Sequence, residues 1–168
     1  AGSINGAKTI CYNTSAGTLG SASDASGGYG TLTYQWQVSG NNSSWSNISG
    51  ATATTYAPGN LTSTKYYRRR VKATNCSGYQ YTGSVKVTVQ SNLSAGSING
   101  AKTICHNTSA GTLGSASDAS GGYGTLAYQW QVSSNNSSWS NIAGATATTY
   151  APGNLTATTF YRRRVKST

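Results

Sequence analysis

The 168 residues contain no glutamate and no methionine, and their only carboxylate side chains are Asp24 and Asp118. Histidine and phenylalanine occur once each, as His106 and Phe160. Catalysis by proton transfer or nucleophilic attack needs paired groups that can exchange or activate protons. Neither a carboxylate pair nor a Ser-His-Asp set can be assembled from one acid per half of the chain, so no enzyme is expected. Calcium asks for about six to eight oxygens, several of them from carboxylates. Asp24, in "SDASGG", reads instead as a turn residue bonded to its own loop. No metal or cofactor is therefore expected. No apolar run approaches ~18 residues and no signal-peptide pattern occurs, so membrane insertion is not expected, and any anchor or export signal is expected outside these residues. A 3.6-residue apolar period is also missing, which excludes amphipathic helices.

What the chain does have is a repeated text. "AGSINGAKTIC" begins at Ala1 and again at Ala95, and a shift of 94 residues aligns Ala95–Thr168 with Ala1–Thr74 without a gap. Only 8 of these 74 pairs differ: Tyr12/His106, Thr33/Ala127, Gly40/Ser134, Ser49/Ala143, Ser63/Ala157, Lys65/Thr159, Tyr66/Phe160 and Ala73/Ser167. Asn75–Ser94 has no second copy. The reading is therefore of two domains, residues 1–94 and 95–168, the second lacking its last strand region and the whole cut from a longer array. A module of this size can bury one core.

The three cysteines are Cys11, Cys76 and Cys105, the last repeating the first. A disulfide between Cys11 and Cys76 is expected, leaving Cys105 without a partner because the repeat of Cys76 falls past Thr168. Such a bridge would point to an oxidising, extracellular setting.

Strand signals are dense. In "TLTYQWQV" the apolar Leu32, Tyr34, Trp36 and Val38 alternate with Thr33, Gln35 and Gln37, the pattern of a strand with one buried face. Further strands are expected in "SINGAKTICY", "GTLGSAS", "SWSNI", "ATTYA", "KYYRRRVKA" and "GSVKVTVQ", separated by Gly-, Ser- and Asn-rich turns. Seven short strands in about 94 residues read as an all-β module, an immunoglobulin-like antiparallel β-sandwich with Trp36 at its centre. Tyr67 and Tyr161 are the candidates for a tyrosine corner, in which the hydroxyl bonds nearby backbone.

Twelve Lys and Arg against two Asp give a net charge of +10. If Tyr67 and Val71 point inward in "YYRRRVK", then Arg68, Arg70 and Lys72 point outward, as do Arg162, Arg164 and Lys166 in the second copy. Arg69 falls on the inner face and is expected to reach water at a sheet edge, since a lone buried cation is costly. The outward cations are the candidate contacts for an acidic polysaccharide, with a solvated strand face that discourages aggregation as the plainer reading. Specific nucleic-acid binding is not expected, because no recognised motif accompanies the charge. Trp45 and Trp139, each following a polar loop, are candidate platforms for sugar stacking.

"TICYNTSAGTL", "GGYGTLTYQWQVSGNNSSWSNISGATATTYAPGNLT" and "YYRRRVKATNC" together resemble the immunoglobulin-like and PKD-like repeats of very large surface proteins of the Bacteroidota, including gliding-motility adhesins of the SprB kind. The resemblance implies an extracellular chain exported by the type IX system, its modules stacked into a stalk or filament at the cell surface. The expected function is then a structural or adhesive repeat segment that supplies length and weak multivalent contacts. Its expected partners are neighbouring modules of the same chain, acidic polysaccharide or surfaces, and other copies through open strand edges. The alternative is a carbohydrate-binding module attached to a secreted enzyme.

Overall fold

A computed structural model describes all residues, 1–168. It is all-β, and the chain divides into two compact units, Ala1–Ser91 and Asn92–Thr168. No helix is present that could cross a membrane.

The first unit contains β1 (Ser3–Asn5), β2 (Lys8–Ile10), β3 (Thr14–Ser15), β4 (Gly20–Ser23), β5 (Leu32–Ser39), β6 (Ser46–Asn47), β7 (Asn60–Leu61), β8 (Lys65–Ala73), β9 (Gln80–Tyr81) and β10 (Val85–Val89). The largest sheet has the order β2-β10-β8-β5-β6, with β9 also on β8. Its pairings are antiparallel apart from β2 with β10, which run parallel. Two small antiparallel pairs, β1–β4 and β3–β7, complete the unit.

The segment expected as one strand from Ile4 to Tyr12 is two. β1 pairs with β4 and β2 pairs with β10, so the chain changes sheet at Gly6. Gly6 has φ +109°, and a Cβ there would run into the Leu19 side chain. Glycine makes that crossing possible. The segment at Tyr56 forms only an isolated bridge to Leu19, while β3, β7 and β9 arise from stretches whose composition reads as turn.

Alternation on β5 and β8 builds the core. Trp36 and Leu19 are fully buried and join Ile4, Ala16, Ala51, Tyr67, Val85 and Val87 in one cluster. The Trp36 indole N–H donates to the Ala53 carbonyl at 3.0 Å, satisfying its one polar atom. Its ring lies 6.0 Å from that of Tyr56, which lies 5.9 Å from Tyr67. Neither Tyr67 nor Tyr161 makes the backbone hydrogen bond of a tyrosine corner; each ring packs against the preceding tyrosine of this stack instead. Burial, aided by Tyr56, pushes the Tyr67 hydroxyl up to about 12. Tyr161 is raised too, by burial and by Tyr150.

The second unit contains β11 (Ser97–Asn99), β12 (Thr108–Ser109), β13 (Gly114–Ser117), β14 (Leu126–Ser133), β15 (Ser140–Asn141), β16 (Asn154–Leu155) and β17 (Phe160–Ser167). The β14–β17 pairing repeats that of β5–β8 residue for residue. The sheet stops there, in the order β15-β14-β17, so β17 is an edge strand. Lys102–Ile104, the copy of β2, is not a strand.

The expected disulfide does not form: Cys11, Cys76 and Cys105 are all free. Ile10 pairs with Val89 beyond the start of β8, whereas the Cys76 N–H bonds the Ala73 carbonyl at the end of β8. The two thiols thus lie at opposite ends of a nine-residue strand, roughly 30 Å apart at about 3.3 Å per residue. A bridge needs Cα atoms within about 7 Å. Sequence spacing had given no information about which end of the sheet each cysteine occupies.

Candidate functional site

The outward face of β5 and β8 gathers the cations. Register places Gln37 opposite Arg68, Gln35 opposite Arg70 and Thr33 opposite Lys72. Alternate residues of one strand share a face, so Arg68, Arg70 and Lys72 form a row with a spacing of about 6.6 Å.

Arg68 is the most tightly held of the three. Its Nε donates to Gln37 Oε1 at 2.7 Å, and Gln37 Nε2 donates in turn to Asn47 Oδ1 at 2.8 Å. Its guanidinium carbon lies 4.4 Å from the ring centre of Trp45 and 4.3 Å from that of Tyr81. Arg70 covers Tyr79 at 3.8 Å, and the Lys72 ammonium lies 5.4 Å from the same ring. Each such contact contributes about 0.5–1 kcal/mol at an exposed site. The larger consequence is order. With Nε engaged and the rings in contact, the Nη1/Nη2 edge of Arg68 is left as the fork that meets a carboxylate, sulfate or phosphate in two parallel hydrogen bonds.

The second unit repeats the central part. Arg162 Nε donates to Gln131 Oε1 at 2.7 Å, Gln131 Nε2 donates to Asn141 Oδ1 at 2.8 Å, and the guanidinium lies 4.4 Å from the Trp139 ring centre. Tyr79 and Tyr81 have no copies here. Arg164 and Lys166 are consequently exposed with no ring beneath them. Trp45 and Trp139 are half-buried, and each has a guanidinium on its ring. They seat an arginine before they can offer a face to a sugar.

Arg69 departs from expectation altogether. It is fully buried and does not reach water. Opposite Trp36 in the β5–β8 register, it turns inward, where Nη1 donates to Ser21 Oγ at 2.8 Å and to the Thr54 carbonyl at 2.6 Å. The Tyr34 and Trp36 rings lie 4.8 and 5.8 Å from the guanidinium carbon, while Nε and Nη2 have no partner. Both aspartates are exposed, so no carboxylate neutralises this charge; carbonyl, hydroxyl and ring quadrupoles carry it. Arg163 repeats the arrangement through Ser115 and the Thr148 carbonyl.

Sequence reasoning found Arg68, Arg70 and Lys72 but missed their seats. Tyr79 and Tyr81 stand two apart in "SGYQYTG", the alternation of a short strand, inside a stretch whose glycines read as turn. No group of three or more His, Cys, Asp or Glu comes together to hold a metal.

The architecture and this face define a class: an all-β module occurring twice in tandem, with one ring-seated arginine on the outward face of each copy's basic strand. The chain belongs to the family described as "Domain of unknown function (DUF8696)", which matches residues 1–91 and again residues 94–168. A comparison with curated proteins finds no match.

Proposed function

We propose that the chain is a structural and adhesive repeat segment of a secreted cell-surface protein, each half an immunoglobulin-like sandwich, and that its basic strands make weak contacts with acidic polysaccharide. The observation that carries this reading is the clamped arginine, Arg68 between Trp45 and Tyr81, repeated as Arg162 on Trp139. An arginine that merely keeps a surface soluble does not need a fixed orientation. One whose rotamers are already restricted meets an anion without the ordering cost of up to ~2 kcal/mol that a free side chain bears.

Two such sites on one chain, and more on a longer array, hold a polymer through avidity although each contact is weak. Chemistry other than binding has little support, with one exposed carboxylate in each copy. Extracellular placement and type IX export rest on the resemblance of the repeats to Bacteroidota surface adhesins. With the cysteines free, an oxidising setting gains no support from a disulfide.

The test is binding to polygalacturonate, heparin and a neutral glucan at low and physiological salt. The chain is compared with a variant in which Arg68, Arg70, Arg162 and Arg164 are serine. Binding to the acidic polymers that survives physiological salt and is lost in the variant supports the reading. Binding that vanishes with modest salt in both proteins leaves a solvated face on a stalk.

A further inference from the structure

The loop between β4 and β5 holds up a tyrosine for which the fold has no use. Tyr29 is 74 % exposed, more than any other large apolar side chain, and its copy Tyr123 is 51 % exposed. The exposed rings of the basic face are occupied, since Tyr79 carries Arg70 and Tyr81 carries Arg68. Neither Tyr29 nor Tyr123 stacks on another ring or lies under a cation. Tyr12 is exposed as well, but its copy is His106. Only the loop tyrosine presents a bare ring in both modules.

The backbone beneath this ring is fixed. The Tyr29 N–H donates to Cys76 Sγ at 3.4 Å, and its carbonyl accepts from the Asn75 N–H at 3.1 Å. Two residues on, the Thr31 N–H donates to Thr74 Oγ1 at 3.1 Å and the Thr74 N–H donates to the Thr31 carbonyl at 2.9 Å. Gly28 and Gly30, at φ +86° and +97°, let the loop come this close, because a Cβ on either would run into the Ala73 or Thr74 side chain. In the second copy Thr125 and Thr168 exchange two backbone bonds, of 3.1 and 3.0 Å. A bare ring on a held backbone is prepared for contact, since tyrosine offers a large amphipathic area and loses little side-chain entropy.

We propose that Tyr29 and Tyr123 are sugar-stacking platforms, each taking the C–H face of one pyranose ring of the acidic polymer whose charged groups lie on the arginine row. The inference rests on the polysaccharide reading above and adds a residue to that site. Arg68, Arg70 and Lys72 lead toward the end of β8, where Lys72 stands opposite Thr33 and the loop of Tyr29 follows. A polymer laid on the row reaches this loop next. The cations read its charge. A ring with no cation on it reads what charge does not encode, the apolar face of the sugar.

The experiment uses polygalacturonate and polyacrylate, which carries carboxylates on a backbone without sugar rings. Binding of each is measured over a series of salt concentrations for the parent chain, for the double variant Tyr29→Ala/Tyr123→Ala and for Tyr29→Phe/Tyr123→Phe. The alanine variant should bind polygalacturonate roughly three- to tenfold more weakly at every salt concentration. Its slope of log affinity against log salt should match the parent's, because no charge has been removed. The phenylalanine variant should bind as the parent does, and all three proteins should bind polyacrylate equally. Equal affinity of parent and alanine variant for polygalacturonate overturns the inference and leaves the arginine row standing, as does an equal loss on polyacrylate. Failure of the parent chain to bind polygalacturonate overturns it together with the reading on which it rests.

Discussion

The two halves of this chain share 66 of 74 aligned residues, yet their cores differ. Trp36 and Trp130 are equally buried, as are Leu19 and, nearly so, Leu113. One strand away the agreement ends: Tyr67 and Val71 are buried, whereas Tyr161 and Val165 are half-exposed. None of those residues has changed. What differs is Asn75–Ser94, which lays β9 and then β10 along the free edge of β8 and has no equivalent along β17. The halves therefore separate two contributions that a single domain confounds. The β5–β8 hairpin with its tryptophan forms from its own alternation, while burial of the outer part of the core depends on a strand arriving from elsewhere.

The sharpest test of this comparison is stability. Fully burying a valine contributes about 1.5–3 kcal/mol, so the two valines of β10 account for a difference of about 3–6 kcal/mol between the halves. In urea, the second half is expected to unfold first. NMR signals of the Trp130 indole should disappear at a lower concentration than those of Trp36. A single coincident transition would refute the account. The substitution Val87→Asp should break the comparison from the other side, bringing the first half down to the midpoint of the second.

The hairpin was legible in the sequence because its signal is local: "TLTYQWQV" and "KYYRRRVKA" alternate cleanly, and the Thr33/Ala127 difference lies on the exposed face that alternation assigns to it. Alternation also put Arg69 on the inner face correctly. It carried no information about what else lines that face. Ser21, Thr54 and Tyr34 arrive from three other parts of the chain, and their convergence is what allows a guanidinium to remain inside. The same limit explains the cysteines, whose spacing is silent about sheet ends, and the seats of the basic row, since Tyr79 and Tyr81 meet Arg70 and Arg68 only after β9 folds back on β8. Local pattern predicts strands and their faces; it does not predict which distant segment covers a face. The identity of the basic row was legible, its rigidity was not.

Arg69 and Arg163 extend the comparison with a smaller effect. Truncating a large buried side chain costs about 2–5 kcal/mol, depending on the cavity left behind. Arg69→Ala should cost about 3 kcal/mol, because the residue is wholly enclosed. Arg163→Ala should cost less, because the second core is more open and Arg163 keeps some exposure. Arg69→Met should recover most of the loss, since it restores volume and removes a buried cation that no carboxylate balances. Urea midpoints of the three variants decide the matter. Equal losses at 69 and 163 would mean that β10 does not tighten the core around the guanidinium.

The smallest effect concerns alkaline pH and isolates Tyr67. Its hydroxyl is raised from 10.0 to about 12 in the fold, while in the unfolded chain it titrates near 10. A raised value means that the folded state holds the proton more tightly. The contribution to stability is therefore complete below pH 10 and is lost as pH rises from about 10 to 12. At pH 11 about half of this contribution has been lost, so the first half should be weakened by on the order of 1 kcal/mol from this group alone. The informative measurement is Tyr67→Phe against the parent at pH 9 and pH 11. The parent should lose more stability between the two values than the variant. Tyr161→Phe should narrow the corresponding loss in the second half by less, because Tyr161 is only half-buried where β10 has no counterpart.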